Sequence, residues 1–247
     1  MGLLSSIFLV FLYMCLWFVL ALIKRDNSIA DIAWGLGFVV IAWFNFESAW
    51  LLPILCSLWG IRLAIYLFIR NQHTGEDWRY QNWRKAWGKH FYWRTFLQVF
   101  MLQGLFMWLI ALPLIVVNTP EFGIFQVLGT LLWLVGFLWE SIADWQLYRF
   151  KRNPLNKGKV LKEGLWKYAR HPNYFGEILV WWGIYFAALP NPNWWWLIIS
   201  PLTITWLLAR VSGVPMLERK YKDRPEYQAY VKNTPSLIPN FRIQKLS

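Results

Sequence analysis

The chain has 247 residues, of which 57% are hydrophobic and 20% aromatic, and its formal net charge is +12. Soluble proteins are about half apolar and use tryptophan sparingly, so a chain with 20 tryptophans is not an ordinary soluble domain. This composition indicates an integral membrane protein. Cys15 and Cys56 both lie inside apolar runs, which excludes a disulfide framework and a paired-cysteine metal site.

Apolar segments follow one another along the chain, and each is long enough to cross a bilayer as a helix. We predict an all-α membrane protein with about seven transmembrane helices, folded as a single domain over residues 1–247. The predicted spans are residues 3–23, 29–46, 49–69, 95–117, 123–147, 174–189 and 194–212, followed by a tail at 213–247.

Lysine and arginine are concentrated in alternate connections between these spans. The connections 70–94 and 148–172 contain six and eight of them, and the tail contains seven. Lys24 and Arg25 follow the first span, whereas the remaining three connections contain none. Positive residues mark the cytoplasmic side, so we predict an external N-terminus and a cytoplasmic C-terminus. The charge predicts contact with anionic membrane lipids rather than with nucleic acid.

Ionisable residues inside membrane spans are costly, and by default they indicate function. Those in or near the predicted spans on the basic side are Asp31, Arg62, Glu140, Asp144, Glu177 and Arg210. We predict that they line one polar cavity open to the cytoplasm. Two purely structural alternatives remain open: an ion pair between Arg62 and Asp31, and an ordinary interhelical contact made by Glu140 and Asp144, which share a helix face.

The segment 168–177, YARHPNYFGE, is the densest polar stretch and precedes an apolar run. Pro172 suits the first turn of a helix, and the positive end of that helix, together with the basic residues before it, would attract phosphate or carboxylate. Asn173, Tyr174 and Glu177 add directional contacts. The segment therefore predicts a site for a nucleotide-type cofactor, although His171 alone would also fit a solvated surface position.

Around these residues the sequence LKEGLWKYARHPNYFGEILVWWG resembles the steroid 5-alpha-reductase-like membrane proteins, in their bacterial branch of unknown function. The resemblance continues in DIAWGLGF, WGIRLAIYLFIRN, GEDWRYQNWR, ADWQLYRFKRNPLNKGKV and SGVPMLERKY, and covers most of the chain between residues 27 and 240. The shorter element RHPNYFGE is also similar to isoprenylcysteine and phospholipid methyltransferases.

The resemblance implies a seven-helix fold in which NADPH is held among the C-terminal helices and donates hydride to the β-carbon of an enone or enoyl lipid. It implies that Asp144 and Asn173 contact the cofactor, that Lys151 takes the place of a phosphate-binding arginine, and that Glu177 is the carboxylate one turn later. Arg62 and Tyr66 match an Arg-x-x-x-Tyr spacing in the third helix. Two positions depart from the steroid enzymes: the second helix offers Asp31 in a different context, and Trp59 stands where a tyrosine is expected. Asp31 or a tyrosine is therefore the candidate acid that polarises the substrate carbonyl.

We accordingly expect a multi-pass protein of a bacterial inner (plasma) membrane that takes its lipid substrate from the bilayer, uses NADP and needs no metal, with its oligomeric state open. An S-adenosylmethionine-dependent lipid or prenyl-cysteine methyltransferase and a non-catalytic lipid-binding protein are the alternatives. The candidate catalytic residues are Asp31, Arg62 and Tyr66. The candidate cofactor-binding residues are Glu140, Asp144, Lys151, Tyr168, Arg170, His171, Asn173, Tyr174, Glu177, Arg210 and Glu218.

Overall fold

The computed structural model describes residues 2–72, 75–117, 123–189 and 192–241. The structure is 80% helical, without a strand in these ranges, which confirms the all-α prediction. The α-helices are α1 (Leu3–Lys24), α2 (Ile29–Phe44), α3 (Leu51–Asn71), α4 (Trp78–Trp87), α5 (Phe91–Arg94), α6 (Leu102–Ile110), α7 (Leu112–Val116), α8 (Ile124–Arg152), α9 (Pro172–Ala187), α10 (Ile199–Trp206), α11 (Val214–Tyr221) and α12 (Pro225–Asn233).

Five helical stretches within the described ranges are long and apolar enough to cross a membrane. They are Leu3–Lys24, Leu51–Asn71, Trp78–Ile110, Ile124–Arg152 and Trp194–Tyr221. Helix α2 is apolar but has only 16 residues, and α9 also has 16. The chain is thus compatible with an integral membrane protein, while the count of seven spans and their orientation stay predictions.

Most of the predicted connection 70–94 is helical. Helix α4 begins at Trp78, where the Asp77 side chain accepts a hydrogen bond of 2.9 Å from the backbone N–H of Arg79 and so caps the helix. The helical path then continues through a π-helical segment, Thr95–Met101, to Ile110. The predicted span 95–117 is interrupted at Ala111, since Pro113 at the start of α7 has no N–H to donate.

The predicted connection 148–172 is also shorter than expected. Helix α8 extends to Arg152, so Arg149, Lys151 and Arg152 lie on its last turn rather than in a loop. The helix ends there because Pro154 disfavours helical geometry at the preceding residue. The Asn153 side chain instead accepts a hydrogen bond of 3.0 Å from the N–H of Leu155 and starts a short 3₁₀ turn.

The chain divides into two compact units, one comprising residues 1–124 and 188–200 and the other residues 125–187 and 201–247. In the first unit, α2 and α3 approach closely at Gly35 and Gly60, where a Cβ on Gly35 would lie 2.6 Å from the Gly60 carbonyl oxygen. Small residues allow this backbone approach between apolar helices. Trp59 is fully buried beside Phe38, with ring centroids 5.6 Å apart. The single-domain expectation stays a prediction.

Helix α1 has one buried side and one strongly apolar exposed side. The hydroxyl of Tyr13 donates to the carbonyl of Ala33 at 2.8 Å and ties α1 to α2. On the exposed side, Leu4, Phe8 and Leu16 are 85%, 61% and 57% accessible. Large apolar side chains exposed along a helix of this length match a lipid environment.

Candidate functional site

The second unit is organised by a very close approach of α8 and α9. A Cβ placed on Gly136 would lie 2.6 Å from the backbone nitrogen of Val180, and one on Gly176 would lie 2.6 Å from that of Glu140. Gly129 and Gly183 make equally close approaches farther along the same pair of helices. Because no side chain separates the two backbones, the polar residues of α8 and α9 are brought directly together.

Glu140 and Asp144 lie on the side of α8 that faces α9, and their exposed fractions are only 2% and 3%. The side-chain amide of Asn173 donates a hydrogen bond of 3.2 Å to Oδ1 of Asp144. Glu177, one turn farther along α9, is 8% exposed. The structure therefore places the carboxyl groups of α8 beside the Asn173 end of α9. Their roles toward a cofactor stay a prediction.

Arg170 is buried and holds the C-terminal segment in place. Its Nε donates to Glu218 at 3.1 Å, a second guanidinium nitrogen also bonds Glu218, and a third donates to the carbonyls of Val231 and Thr234. A guanidinium engaged by one carboxylate and two carbonyls has little donor capacity left for phosphate. These contacts give Arg170 a structural role, and its assignment to the cofactor stays a prediction.

His171 is buried, not solvated. Its ring is 3% exposed and stacks on Tyr174, with centroids 5.5 Å apart and planes inclined by 11°. Burial lowers the pKa of His171, and the Glu218 carboxylate, 3.7 Å from Nε2, only partly opposes this effect. The imidazole is therefore neutral at neutral pH and fills space at the start of α9.

The C-terminal residues form a strap over the polar motif, which the sequence did not predict. The backbone N–H groups of Arg170 and His171 donate to the carbonyls of Pro235 and Ser236 at 2.9 and 3.0 Å, and the N–H of Asn240 donates to Tyr168 at 2.9 Å. Both amides immediately before α9 are thus already satisfied by the strap. Anion binding here depends on side chains and on the first turn of α9 itself.

Most basic residues of the region are exposed. The exposed ones are Arg149, Lys151, Arg152, Lys157, Lys159 and Lys167. Lys162 instead pairs with Glu226 at 3.3 Å. Arg210, predicted to lie in the polar cavity, is exposed on the π-helical segment Leu207–Val211. Three buried carboxyl side chains and the half-buried amide of Asn173 therefore lie in the same unit as a broad, exposed set of cations.

The candidate catalytic residues all belong to the first unit, whereas the candidate cofactor residues all belong to the second. Asp31 accepts hydrogen bonds from the Arg79 guanidinium and, at 3.0 Å, from the hydroxyl of Tyr80. The alternative that paired Asp31 with Arg62 did not include these two partners, which lie in the predicted connection 70–94. Arg62 and Tyr66 are half-buried on α3. One shared cavity for both groups stays a prediction.

A second polar network supports the start of α4. Nε and a terminal nitrogen of Arg84 donate to the Glu76 carboxylate at 3.2 and 2.8 Å, and the Asn27 side chain donates to it at 2.9 Å. Burial raises the pKa of Glu76, but the hydrogen bonds from Arg84 and Asn27 outweigh it, and the net pKa lies below the usual range. Glu76 is thus a fixed anion that positions Arg84.

Among the described residues, no group of three or more His, Cys, Asp and Glu side chains is placed to hold a metal ion.

Among known proteins, two fungal proteins are similar to this chain over more than half of its length, and a third is similar over a short segment. The chain is 29% identical over 170 residues to the uncharacterized protein C9.08c of Schizosaccharomyces pombe, which covers 61% of this chain and 55% of that protein. It is 25% identical over 192 residues to the uncharacterized protein C594.04c of the same yeast, covering 67% of this chain and 55% of that protein. The chain thus spans about half the length of these curated relatives. They give no support to the expected bacterial origin.

A third relative matches over a short stretch. The probable O-methyltransferase ustE of Ustilaginoidea virens is 41% identical over 46 residues, which is 19% of this chain and 16% of that protein. No solved structure matches the chain. Residues 17–234 match the family described as protein of unknown function DUF1295. The chain therefore belongs to the DUF1295 family, which is related to the steroid 5-alpha-reductase-like proteins.

Proposed function

We propose that the protein is a membrane-embedded, NADPH-dependent reductase that transfers hydride to the C=C bond of an α,β-unsaturated lipid. The observation that carries this proposal is the hydrogen bond between the buried Asp144 and the half-buried Asn173 at the start of α9. An amide and a carboxylate held in fixed geometry are suited to the polar edge of a heterocycle, since together they offer a donor and an acceptor. The relationship of the family to steroid 5-alpha-reductase-like proteins supports the same reading.

The exposed cations of the second unit support a phosphate-rich cofactor. NADPH carries three phosphate groups, and Lys151 with its neighbours on the last turn of α8 supplies compact positive charges in the same unit as the Asp144–Asn173 pair. Lysine binds phosphate as a point charge. When bound, NADPH supplies the hydride; the chain's own residues hold its headgroup, orient it and exclude water.

On this proposal the residues of the first unit act on the lipid. A carbonyl conjugated to the C=C bond must be polarised as hydride adds to the β-carbon, and a hydrogen-bond donor or cation does this. The α-carbon then takes a proton from water or from a side chain, which completes the reduction. Asp31 is engaged as the acceptor of Arg79 and Tyr80, so its role is to position these two groups. Arg62 and Tyr66 on α3 are then the donors that we assign to the carbonyl.

The proposal includes the orientation of the chain: seven spans, an external N-terminus and a cytoplasmic C-terminus, so that the cofactor enters from the cytosol. The unequal distribution of lysine and arginine among the connections supports it. The lipid would enter from the bilayer.

A methyltransferase that uses S-adenosylmethionine is the second candidate, and the short match to a probable O-methyltransferase favours it. The two cofactors differ in charge. S-adenosylmethionine has a sulfonium and an amino-acid group but no phosphate, and it gains little from six exposed cations. For this reason the reductase is our leading proposal.

Labelled cofactors distinguish the two candidates directly. Purified protein in lipid nanodiscs is incubated with NADPH deuterated at C4 of the nicotinamide, or with S-adenosylmethionine carrying a deuterated methyl group. The substrate probes are an enone steroid, a polyprenyl enal and a trans-2-enoyl thioester, and products are analysed by mass spectrometry. A reductase transfers one deuterium to the β-carbon of at least one probe, and Asn173→Ala loses that transfer. Methyl transfer to endogenous lipid, without deuteride transfer, would contradict the proposal.

A further inference from the structure

A small cavity of about 210 Å³ lies in the first unit, and none of the residues assigned to the reaction lines it. It is lined by Ala21, Leu22, Arg25, Asn27, Arg84 and Tyr92. Two of these side chains are cations and two are apolar. A cavity with one charged wall and one apolar wall suits an amphiphile.

The position of the cavity along α1 places it at the level of lipid headgroups. Helix α1 has 22 residues and is apolar up to Lys24, a length that matches the hydrocarbon core of a bilayer. Tyr92 and Trp93 are 59% and 65% exposed beside it, as is usual for aromatic residues at the membrane–water interface. The basic end of such a helix faces the leaflet that carries anionic lipids.

Arg25 has an unusual backbone conformation. Its φ is 54°, and it is the one non-glycine residue with positive φ in the described part of the chain. This position follows the last turn of α1, where glycine is the common residue because a side chain is disfavoured there. The left-handed conformation at Arg25 ends α1 and places an exposed guanidinium on the cavity wall.

The side chain of Arg84, the second cation, is fixed by neighbouring residues of the same unit. The Glu76 carboxylate accepts two of its hydrogen bonds, and its guanidinium lies 4.1 Å from the centroid of the Phe91 ring. Asn27 is likewise fixed by Glu76. The Glu76 carboxylate offsets the charge of Arg84. Of the two arginines that line the cavity, Arg25 therefore provides its net positive charge of about one.

We propose that this cavity binds the phosphate of an anionic glycerophospholipid headgroup. Arg25 and Arg84 contact the phosphate, the exposed Tyr92 covers the glycerol region, and Ala21 and Leu22 lie against the start of the acyl chains. The apolar wall favours a lipid over a free phosphate ion, and the net positive charge favours an anionic over a zwitterionic lipid. This site is independent of the proposed reductase activity.

The test is a titration of the purified full chain in detergent with phosphatidylglycerol, with bound lipid counted by native mass spectrometry. Phosphatidylcholine and inorganic phosphate are the comparison ligands. Arg25→Gln should weaken phosphatidylglycerol binding about fivefold, the factor expected for one cation near an anionic surface. Arg25→Lys should retain most of the binding. Lys24→Gln, which removes the same charge from the neighbouring exposed residue, is the matched control and should bind like the wild type.

Three results would overturn the proposal. Equal losses in Arg25→Gln and Lys24→Gln would mean that the effect is one of overall charge. Equal binding of phosphatidylcholine would remove the anionic selectivity. Full displacement of phosphatidylglycerol by an equal concentration of inorganic phosphate would make the site one for a free ion. The lipid site is supported if phosphatidylglycerol binds more strongly than phosphatidylcholine and inorganic phosphate, and if only Arg25→Gln weakens that binding.

Discussion

The side-chain amide of Asn173 donates a hydrogen bond of 3.2 Å to Oδ1 of Asp144, which joins the first turn of α9 to α8. Asp144 is 3% exposed, so this bond forms in an environment where an unsatisfied partner is costly. The contact is possible because Gly176 lets α9 lie directly on the backbone of α8. It is the feature on which the proposed cofactor site depends.

We expect Asn173→Ala to leave a folded protein. Its NADPH affinity should fall at least about tenfold, because one hydrogen bond to a charged group is lost. Glu177→Gln should lower affinity or turnover in the same way. The measurement is NADPH binding by fluorescence, together with monodispersity in detergent. The control is the double variant Asn173→Ala, Asp144→Ala, which removes both partners. If the double variant regains both stability and NADPH affinity, the pair is structural only.

Gly176→Ala should separate α8 from α9. The added Cβ would lie 2.6 Å from the backbone nitrogen of Glu140, and backbone cannot move aside as a flexible side chain can. We expect a destabilisation of about 1–3 kcal/mol, the usual range for overpacking, and a lower NADPH affinity, both measured in detergent.

Gly104→Ala is the matched control for that substitution. A Cβ on Gly104 would meet the Met14 side chain at 3.0 Å rather than a backbone, and methionine adapts readily. It should cost less stability and leave NADPH affinity unchanged. Equal effects of the two substitutions would contradict the proposed importance of close packing between α8 and α9.

His171 should make the protein less stable in mild acid. Burial lowers its pKa from the ordinary value of 6.5, so below that pH the unfolded chain binds the proton more readily than the folded protein. Stability therefore falls as the pH drops below about 6.5, the ordinary pKa of the unfolded chain's histidine. Thermal unfolding of wild type and His171→Asn between about pH 8 and pH 5.5 measures the difference.

His171→Asn should show a shallower loss over that range, since the buried titrating group is gone. Glu218 and Arg170 both lie near the ring. The pKa of Glu218 is lowered to about 2, chiefly by its hydrogen bond with His171 and also by Arg170, so its titration lies well below the pH range of the comparison. Parallel pH profiles for the two proteins would contradict a neutral, buried His171.

We expect Lys151 to bind the 2′-phosphate of NADPH, the group that NADH lacks. Lys151→Gln is expected to weaken NADPH binding about fivefold to tenfold and NADH binding much less, because one charge-assisted contact to phosphate is removed. Lys232→Gln, at an exposed position on α12, is the control and should leave both affinities unchanged. Equal losses for NADPH and NADH in Lys151→Gln would mean that Lys151 does not distinguish them.

The orientation of the spans is tested by reporter fusions after residue 120 and after residue 160. The charge distribution predicts that the first reporter lies outside and the second in the cytoplasm. The same side for both would contradict the seven-span arrangement.

The sequence predicted the long apolar helices well, because hydrophobic length is a direct consequence of bilayer thickness. The helix Trp78–Trp87 within residues 70–94 was not predicted. Its aromatic and basic residues are mixed, so it is not apolar enough to be identified as a membrane span. The prediction also ended α8 too early, since Arg149 and Lys151 are good helix formers and only Pro154 ends the helix. Arg149, Lys151 and Arg152 therefore belong to the last turn of α8, although they were predicted only as residues of a connection.

The polar site was predicted in part for the same reason. Helical spacing alone places Glu140 and Asp144 on one face of a helix, whereas the approach of α9 to that face at Gly176 is seen only in the structure. The strap at Pro235 and Ser236, and the pairing of Arg170 with Glu218, join residues about 50 or more positions apart. Such contacts depend on tertiary packing and leave no local pattern. The partners of Asp31, which are Arg79 and Tyr80, were missed similarly.

The most direct measurement is the identity of the small molecule that the purified protein binds. Wild-type protein in nanodiscs is titrated in parallel with NADPH, NADH and S-adenosylmethionine by isothermal calorimetry, and Asn173→Ala and Lys151→Gln are titrated beside it. We predict saturable NADPH binding that is weakened by both substitutions, weaker NADH binding, and no binding of S-adenosylmethionine. Saturable binding of S-adenosylmethionine without binding of NADPH would contradict it.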